Sequence, residues 1–500
     1  MEDFSGRRVL IMGLGLHGGG LESAKYLARH GAELTITDLR DEKTLAPSIE
    51  KLEAALGGGE VRYVLGRHET ADFERADLVV KNPGVSPDSP YLKAARRIET
   101  DISLFLAASP ARLCAVTGSK GKSGTASALY WVLSQARDRG PAAAVLPGTA
   151  ALRGKAALPG KAWLGGNITV SPLSFLDQTG DGDDVVLELS SWQLADLRGR
   201  VREGPLLKPR CAVITAIMPD HMDRYRRMED YVADKRVICQ GQDSGDATIA
   251  GRDPWGESFF AESRGRPLGY GNEKPGPGIS GGWIDGEGGP GLARFFEGPA
   301  LEGGLAAGEI AELVPAELLV PGRHQKQNLL AAALALLDLG LPADFIRESL
   351  GRFPGIEHRL EFFHQAGGLR FYNDTAATVP EAARAAVEAL EGRGRVLLAA
   401  GGSDKGLDLG PLADAAGKAA ALSLLAGAGS EKLKPLLRDR GVPFLGPFDS
   451  VDAAVKALLE ASRPGDIIVL SPGCASFGMF RNEFERGAMW KEAVRRLAAV

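Results

Sequence analysis

A short apolar stretch runs directly into a loop rich in glycine and lysine, and this junction constrains the fold more than any other feature. Residues 113–116 predict a buried strand, residues 117–123 read T-G-S-K-G-K-S, and a helix is predicted from there to Gln135. Backbone N–H groups of such a loop wrap phosphate oxygens, and the helix N-terminus adds further donors. The junction therefore predicts an α/β domain with a phosphate-binding loop.

Two side chains at the end of this loop carry the predicted chemistry. Lys122 is expected to neutralise charge on the β- and γ-phosphates of a nucleotide, and the Ser123 hydroxyl to bind Mg²⁺. The other candidates in the loop are Gly118, Ser119, Lys120 and Gly121. Two residues fewer separate the glycines than in the common phosphate-loop pattern, and Gly124 favours a looser helix start. A chance glycine-lysine turn is the alternative.

Strands alternate with helices along most of the chain, which predicts α/β architecture with mostly parallel sheets covered on both faces. Buried strands are predicted at 8–12, 33–37, 78–81, 185–189 and 212–216, and a third sheet at 370–373, 395–400, 422–426 and 467–471. Helices are predicted at 22–30 and 328–339. We divide the chain into three domains, at residues 1–108, 109–320 and 321–500.

Glycine and proline are concentrated between residues 240 and 316, where helical periodicity is weak. Such composition predicts short strands and long loops. Within it, residues 270–315 are expected to form a surface insertion.

A second glycine loop lies near the N-terminus. Gly13, Gly15 and Gly18 follow the first predicted strand, and Asp38 ends the next one. This matches a dinucleotide-binding fingerprint, in which glycines let the backbone approach a diphosphate. A lone fingerprint is weak, so a nucleotide ligand, NAD in particular and a ligand-free tight turn all stay open.

Three further side chains are candidates for metal chemistry. Glu188 ends a buried apolar strand, from which an acid can reach the phosphate loop across adjacent strand ends. His221 lies between Asp220 and Asp223, and Lys235 follows in a predicted helix. The alternatives are a paired structural carboxylate, a capping histidine and a solvated lysine.

Bulk composition excludes several classes of protein. Hydrophobic residues make up 44% of the 500 residues, so sizeable cores can form, and the net charge of −5 argues against broad nucleic-acid or acidic-membrane binding. The four cysteines include no C-x-x-C pair, which favours a reducing compartment. Neither a signal-peptide pattern nor an apolar run of about 18 residues is present. We expect a cytoplasmic protein without membrane insertion.

Several motifs together resemble the Mur ligase family, and within it the members that add glutamate. They are T-G-S-K-G-K-S (117–123), G-N-I (166–168), L-E-L-S-S-W-Q (187–193), D-H-M-D-R-Y (220–225), P-G-R-H-Q-K-Q-N (321–328), H-R-L-E (358–361), N-D-T-A-A-T (373–378) and S-P-G-C-A-S (471–476). They occur in the family's order and at roughly its spacing over nearly the whole chain, which is more specific than any single motif.

The resemblance implies an activity and its cofactors. It implies ATP-dependent ligation of glutamate to UDP-N-acetylmuramoyl-L-alanine through an acyl phosphate, in peptidoglycan precursor synthesis. Two Mg²⁺ ions and a lysine carbamylated by CO₂ accompany ATP in this family. The implied fold is a Rossmann-like UDP-binding domain, a central ATPase domain and a C-terminal Rossmann-like domain. The protein is expected to be a monomer that binds small molecules and no nucleic acid.

The resemblance also implies roles for individual residues. Ser123 matches a Mg²⁺ position, and Glu188 matches a ligand of the first Mg²⁺. His221 matches a ligand of the second, and Lys235 matches the carbamylated lysine. The residues that match ATP contacts outside the loop are His324, Asn328, Arg359 and Asp374. The residues that match contacts to the UDP-linked substrate are Gly15, Leu16, His17, Thr37, Asp38, Arg40, Asn82, Gly84 and Asn167.

The implied glutamate site departs from the family pattern. Ala376 stands where the family has a lysine that holds the side-chain carboxylate of D-glutamate. Thr378, Lys405 and Ser476 remain as candidates. A branch of the family that uses L-glutamate shares this departure, so the glutamate isomer stays open. Ser103 and Gln325 also differ from the family's common residues.

Three other functions compete with this one. A folylpolyglutamate synthase or another ligase of the superfamily is disfavoured by D-H-M-D-R-Y and S-P-G-C-A-S. An NAD-dependent oxidoreductase leaves the phosphate loop unexplained. A regulatory nucleotide-binding protein without ligase activity is suggested only by Ala376 and Gly124.

Overall fold

The computed structural model describes residues 2–16, 18–138, 160–200, 205–286, 288–302 and 305–498. The chain forms two compact units, the first comprising Met1–Ala316 with Lys326–Leu350 and the second Glu317–Gln325 with Gly351–Val500. The domain boundaries at 108/109 and 320/321 remain a prediction. Within the described ranges, none of the helices is both long and apolar enough to cross a membrane.

The first sheet has five parallel strands in the order β3-β2-β1-β4-β5. Its elements are β1 (Arg8–Met12), α1 (Gly19–Arg29), β2 (Glu33–Asp38), α2 (Glu42–Leu56), β3 (Val61–Leu65), α3 (Thr70–Arg75), β4 (Leu78–Lys81), β5 (Ile98–Glu99) and α4 (Asp101–Ala108). Because β1 is central and apolar at four of its five positions, the sheet buries it on both faces.

The second sheet has nine strands in the order β14-β13-β12-β11-β10-β9-β6-β8-β7. Its elements are β6 (Arg112–Thr117), α5 (Lys122–Asp138), β7 (Ala162–Gly166), β8 (Asp184–Glu188), α6 (Ser191–Leu197), β9 (Cys211–Ile214), α7 (Met228–Gln240), β10 (Ala247–Gly251), α8 (Pro254–Glu262), β11 (Arg266–Gly271), β12 (Gly281–Ile284), β13 (Gly291–Arg294), α9 (Pro299–Glu302) and β14 (Ile310–Val314). Strands β12 to β14 pair antiparallel and the rest pair parallel.

The prediction of a surface insertion at 270–315 is wrong. This stretch supplies β12, β13 and β14 to the second sheet, and Trp283, Phe295 and Leu313 are buried. Its glycines allow close packing: a Cβ on Gly291 would lie 2.8 Å from the Cβ of Val314. The glycine content that predicts a loop here instead allows neighbouring strands to pack closely.

The prediction of only short strands and long loops over 240–316 also missed helix α8. The Asp253 side chain accepts hydrogen bonds from the Trp255 and Gly256 N–H groups and caps its first turn. Gly256 weakens the helical pattern in the sequence, but a Cβ there would lie 1.8 Å from the Gly251 carbonyl oxygen. Packing therefore requires the residue that lowers helix propensity.

The third sheet has six strands in the order β15-β16-β20-β17-β18-β19, and only β15 runs antiparallel to its neighbour. The elements after β14 are α10 (Arg323–Asp338), α11 (Ala343–Gly351), β15 (Glu361–Ala366), β16 (Leu369–Asn373), α12 (Pro380–Leu390), β17 (Val396–Gly401), α13 (Gly410–Lys418), β18 (Ala421–Leu425), α14 (Ala428–Asp439), β19 (Leu445–Phe448), α15 (Val451–Ala461), β20 (Ile467–Leu470) and α16 (Glu483–Leu497). The predicted α/β class with mostly parallel sheets is confirmed.

Candidate nucleotide and metal site

The glycine-lysine loop joins β6 to α5 in a conformation that requires its two glycines. Gly118 has φ +144° and Gly121 has φ +95°, which L side chains rarely adopt. A Cβ on Gly118 would lie 1.9 Å from Thr215 Oγ1, and one on Gly121 2.3 Å from Asn328 Oδ1. The loop is therefore held tightly between the residue that follows β9 and helix α10.

Ser119 fastens the middle of the loop to the chain that follows β9. Its N–H donates to the Ala216 carbonyl at 2.8 Å, and its hydroxyl donates to the Met218 carbonyl at 2.8 Å. The same oxygen accepts from the Met218 N–H at 3.0 Å and lies 3.0 Å from the Tyr231 hydroxyl. These bonds preorganise the loop backbone, which is the part that a phosphate would contact.

Two lysines converge on one carbonyl oxygen of the loop. Lys122 Nζ donates to Gly118 O at 2.9 Å, and Lys235 Nζ, from α7, donates to the same oxygen at 3.0 Å. Burial, together with the charge of Lys122, lowers the pKa of Lys235 to about 7. Burial also lowers the pKa of Lys122. A substantial fraction of Lys235 is therefore a neutral amine near pH 7.

Glu188 presents a buried carboxylate at the end of β8, in register with Val116 of β6. Its Oε1 accepts from Asn167 Nδ2 at 2.7 Å. Its Oε2 is buried and has no hydrogen-bond partner among the described residues. An unpartnered buried carboxylate oxygen is costly unless a cation or another donor binds it.

His221 lies in the loop after β9, the strand on the other side of β6. It is exposed and has φ +54°, an uncommon value for a residue other than glycine. Its ring centroid lies 5.8 Å from that of Trp192, which follows Glu188 at the start of α6. Because β8, β6 and β9 are adjacent and parallel, Glu188, Lys122 and His221 all leave the same edge of the sheet.

Asp220 adds a negative charge at this edge. Its Oδ2 lies 3.5 Å from Lys120 Nζ in the phosphate loop. Burial would raise the pKa of Asp220, but the charges of Lys120 and His221 outweigh burial and lower it. Asp220 therefore stays ionised beside His221 and the phosphate loop.

The candidate UDP residues gather at the carboxyl ends of β1, β2 and β4. Asp38 accepts from the Gly15 N–H at 3.2 Å and from the Arg40 N–H at 2.9 Å. Asn82 Nδ2 donates to Gly13 O at 3.3 Å, and the Gly84 N–H donates to Asn82 Oδ1 at 3.1 Å. These bonds join the two glycine-containing loops predicted to face a diphosphate.

Three other candidates of this group differ in their surroundings. Leu16 is 43% exposed, and His17 lies outside the described residues. Thr37 is fully buried, and its hydroxyl contacts Arg67 O and His68 Nδ1 at 3.1 and 2.7 Å. These two contacts hold the chain at residues 67–68 against the end of β2.

In the second unit, the candidate Asp374 follows β16. Its Oδ2 accepts from Ser471 Oγ at 2.7 Å and its Oδ1 from the Leu360 N–H at 3.0 Å. Burial raises the pKa of Asp374 to about 7. Arg359 is exposed one residue before Leu360. His324 belongs to this unit, whereas Asn328 belongs to the first.

Three loops of the second unit bring the glutamate candidates together. Lys405 Nζ donates to Thr378 Oγ1 at 3.0 Å. Reciprocal backbone hydrogen bonds of 3.0 and 3.1 Å pair Ser403 with Ala475, the neighbour of Ser476. Ser476 is buried. The three candidates, which are far apart in sequence, are therefore held by directly bonded loops.

Sequence reasoning missed Arg486, which is fully buried in α16. Its Nε and Nη2 donate to Thr375 Oγ1 and O at 3.0 and 2.9 Å, and its Nη1 donates to Cys474 O at 3.2 Å. Burial lowers the pKa of Arg486 to about 10. Trp490 is also fully buried and lies four residues later on the same face of α16. The spacing of Arg486 from this large apolar residue was the sequence signal that Arg486 faces the core.

One edge of the second sheet carries the glycine-lysine loop, two lysines and a buried carboxylate with an unpartnered oxygen among the described residues. This arrangement in an α/β fold defines a nucleotide-binding protein of the phosphate-loop class. Three family models match in order: "Mur ligase MurD-like, N-terminal domain" at residues 7–103, "Mur ligase middle domain" at 116–336 and "Mur ligase, glutamate ligase domain" at 358–474. The chain belongs to the Mur ligase family, and it is an ATP-dependent ligase that forms an amide bond.

Curated relatives match over nearly the whole length. A UDP-N-acetylmuramoylalanine--D-glutamate ligase of Treponema pallidum (strain Nichols) is 40% identical, over 98% of each chain. One of Roseiflexus sp. (strain RS-1) is 38% identical, over 99% of this chain and 98% of that one. Among solved structures, the UDP-N-acetylmuramate-alanine ligase MurC of Thermotoga maritima matches 98% of this chain and 99% of its own, with a TM-score of 0.51 and 16% identity. That structure supports the fold alone.

Proposed function

We propose that this protein joins D-glutamate to the alanine carboxylate of UDP-N-acetylmuramoyl-L-alanine, with ATP, in peptidoglycan precursor synthesis. The substrate names come from the relatives at 40% and 38% identity. The geometric observation that carries the proposal is the convergence of Lys122 and Lys235 on Gly118 O, at the sheet edge where Glu188 ends β8. We expect a cytoplasmic monomer.

Activation of the alanine carboxylate is the task of the phosphate-loop edge. A carboxylate is a poor acyl donor, so its oxygen attacks the γ-phosphorus of ATP, the bond to the β-phosphate oxygen breaks, and ADP leaves. Lys122 neutralises charge on the transferring phosphoryl group, and the backbone N–H groups of residues 118–123 orient it. The amine nitrogen of glutamate then attacks the acyl carbon, the carbon–oxygen bond to phosphate breaks, and the proton lost by the amine passes to solvent.

We propose that residues at this edge hold two Mg²⁺ ions. The open Oε2 of Glu188 and the Ser123 hydroxyl are hard oxygen donors suited to the first ion. His221 and Lys235 would hold the second. A Lys235 amine that is partly neutral near pH 7 can react with CO₂ and become an anionic carbamate, which attracts a cation that an ammonium would repel. Bound Mg²⁺ would supply further charge neutralisation for phosphoryl transfer.

The remaining candidates divide between the other two substrates and ATP. The residues proposed for the UDP-linked substrate are Gly15, Leu16, His17, Thr37, Asp38, Arg40, Asn82, Gly84 and Asn167. Those proposed for ATP outside the loop are His324, Asn328, Arg359 and Asp374. Thr378, Lys405 and Ser476 are proposed to bind glutamate, with Lys405 as the cation for a carboxylate.

A specific observation favours a second candidate substrate, L-glutamate. Ala376 leaves the N-D-T-A-A-T loop without the lysine that would bind the D-glutamate side chain. A charge-assisted hydrogen bond to a carboxylate contributes about 1.5–3 kcal/mol. Its loss alters the balance between the isomers unless another group compensates.

A ligation assay with both isomers tests the proposal. Purified protein is mixed with ATP, Mg²⁺, UDP-N-acetylmuramoyl-L-alanine and either D- or L-glutamate. Phosphate release is followed over time, and the mass of the product is determined by mass spectrometry. We expect phosphate release that requires the amino acid, and a product one glutamyl residue heavier with D-glutamate. If product forms only with L-glutamate, then L-glutamate replaces D-glutamate as the proposed substrate. Phosphate release without any ligated product would refute the proposed reaction.

A further inference from the structure

A buried ion pair joins the end of β4 in the first sheet to helix α6 of the second. Lys81 Nζ lies 2.8 Å from Asp196 Oδ2, and the two side chains are only 4% and 8% exposed. Burial raises the pKa of Asp196 although Lys81 opposes the effect. Because desolvation of a buried pair can cost as much as the attraction returns, stability alone does not explain its presence.

Lys81 also closes the turn that contains the candidate diphosphate residues. Its Nζ donates to Val85 O at 3.0 Å, and the Val85 N–H donates to Asn82 O at 2.9 Å. Asn82 in turn donates to Gly13 O in the first glycine loop. The ammonium of Lys81 therefore sets the position of the turn at 82–85 from within the protein.

Asp196 lies on helix α6, which begins at the phosphate-loop edge of the second sheet. Helix α6 starts at Ser191, three residues after Glu188, and Ser190 caps it by accepting from the Gln193 N–H at 3.2 Å. Its first turn carries Trp192, whose ring lies 5.8 Å from His221. A displacement of α6 would therefore move the surroundings of the proposed metal ligands.

We propose that Lys81 and Asp196 are positioning residues that fix the place of the 82–85 turn relative to helix α6. A UDP-linked substrate bound at the first sheet then presents its acyl carboxylate to the phosphate loop. This inference rests on the proposed function. Both side chains are buried, so we assign them an indirect role. The pair acts through the position of the Asn82 turn on one side and of α6 on the other.

A nearby ion pair provides a matched control. Arg200 Nη1 lies 2.6 Å from Glu99 Oε2, and Arg200 Nε donates to the Asp196 carbonyl at 2.6 Å. Arg200 therefore joins the same two parts of the chain and touches Asp196, but its hydrogen bonds do not reach the 82–85 turn. If the Lys81–Asp196 pair only fastened the two sheets together, then Arg200→Met and Lys81→Met would change the kinetics alike. If Lys81 positions the turn, only Lys81→Met changes the KM of the UDP-linked substrate.

The test compares Lys81→Met, the doubly apolar variant Lys81→Met/Asp196→Leu, and Arg200→Met. For each, the KM values of UDP-N-acetylmuramoyl-L-alanine, ATP and glutamate are measured together with Tm. We expect Lys81→Met to lower Tm and to raise the KM of the UDP-linked substrate about tenfold, with the other two KM values within about twofold. The double variant should regain Tm, since no buried charge is left unpaired, but keep the raised KM.

The possible outcomes separate the positioning role from a structural one. A double variant that regains both Tm and KM, or an Arg200→Met variant with the same KM change, overturns the positioning role while the ligase activity stands. A wild-type protein that forms no ligated product overturns the proposed function, and this inference with it.

Discussion

The phosphate-loop edge of the first unit and the candidate glutamate loops of the second unit, which carry Thr378, Lys405 and Ser476, both bury a basic side chain, but the two side chains differ in kind. At the first edge the cation is Lys235, whose pKa falls to about 7. At the second it is Arg486, whose pKa falls only to about 10. A lysine amine can lose its proton at neutral pH and accept a modification, whereas a guanidinium keeps its charge and its planar fork of donors. The first edge therefore holds a buried group that can change its protonation state near pH 7, and the second holds one that keeps its charge and fixes the position of its loops.

Lys122→Ala should produce the largest loss at the phosphate-loop edge. Removing the cation that neutralises the transferring phosphoryl group should lower kcat by about 10³-fold. Single-turnover phosphate release measures the step. Tm should change little, because Lys122 is only half-buried. Retention of wild-type phosphate release would remove Lys122 from the reaction.

Lys235→Ala should lower kcat by about 10²-fold, because the proposed carbamate can no longer form. Short-chain carboxylates added to the assay should restore part of the activity by occupying the vacated space with a negative charge. Lys235→Arg is the matched control, since a guanidinium stays charged and cannot be carbamylated. An active Lys235→Arg protein would contradict the proposed carbamate.

Arg486→Lys should raise the KM of glutamate by about tenfold and leave the KM of ATP unchanged. A lysine keeps the positive charge but has one nitrogen in place of the three that donate to Thr375 Oγ1, Thr375 O and Cys474 O, so the two loops lose part of their shared support. The pH profile of activity should not move. An equal rise in the KM of ATP would indicate general loosening of the fold instead.

The lowered pKa of Lys235 also predicts how stability depends on pH. Between about pH 7 and the ordinary lysine pKa of 10.5, the unfolded chain binds a proton at this position that the folded chain does not. This group therefore makes the free energy of unfolding rise with pH, by at most about 1.4 kcal/mol per pH unit. Denaturant unfolding of wild type and Lys235→Met between pH 7 and 10 measures the difference. Identical pH slopes would show that Lys235 is not perturbed.

Ala376→Lys should have the smallest effect and bears on the candidate glutamate loops alone. If the protein uses D-glutamate, a lysine at this position should raise kcat/KM for D-glutamate a few-fold by adding a charge-assisted contact. Parallel assays with both isomers measure the ratio. A fall in D-glutamate use would indicate that this loop already binds the carboxylate in another way.

Local patterns in the sequence predicted most of the first edge. The apolar run before residue 117 and the spacing of glycine and lysine after it predict β6, the loop and α5 without reference to distant residues. The predicted strand at 78–81 coincides with β4, and the one at 185–189 is β8 shifted by one residue. Boundaries were less accurate: α1 begins at Gly19, three residues earlier than predicted, because its first residues are glycines of low helix propensity.

Sequence patterns predict a loop where glycine occurs inside a strand or helix, and there is a physical reason for this error. The strands at 281–314 and helix α8 contain glycines where a side chain would collide with a neighbouring strand or loop. Whether a glycine marks a turn or a close approach depends on what lies against it, and local sequence does not contain that information.

The sequence by itself determined which residue types meet a phosphate, where the apolar strands run and which family the motifs resemble, because these properties depend on neighbours in the chain. Only the tertiary structure decided that Lys122 and Lys235 donate to one carbonyl oxygen, that Arg486 supports two loops, and that Lys81 is paired with Asp196. Burial and charge pairing depend on residues about 100 positions apart, and their pKa values and energies follow from that packing.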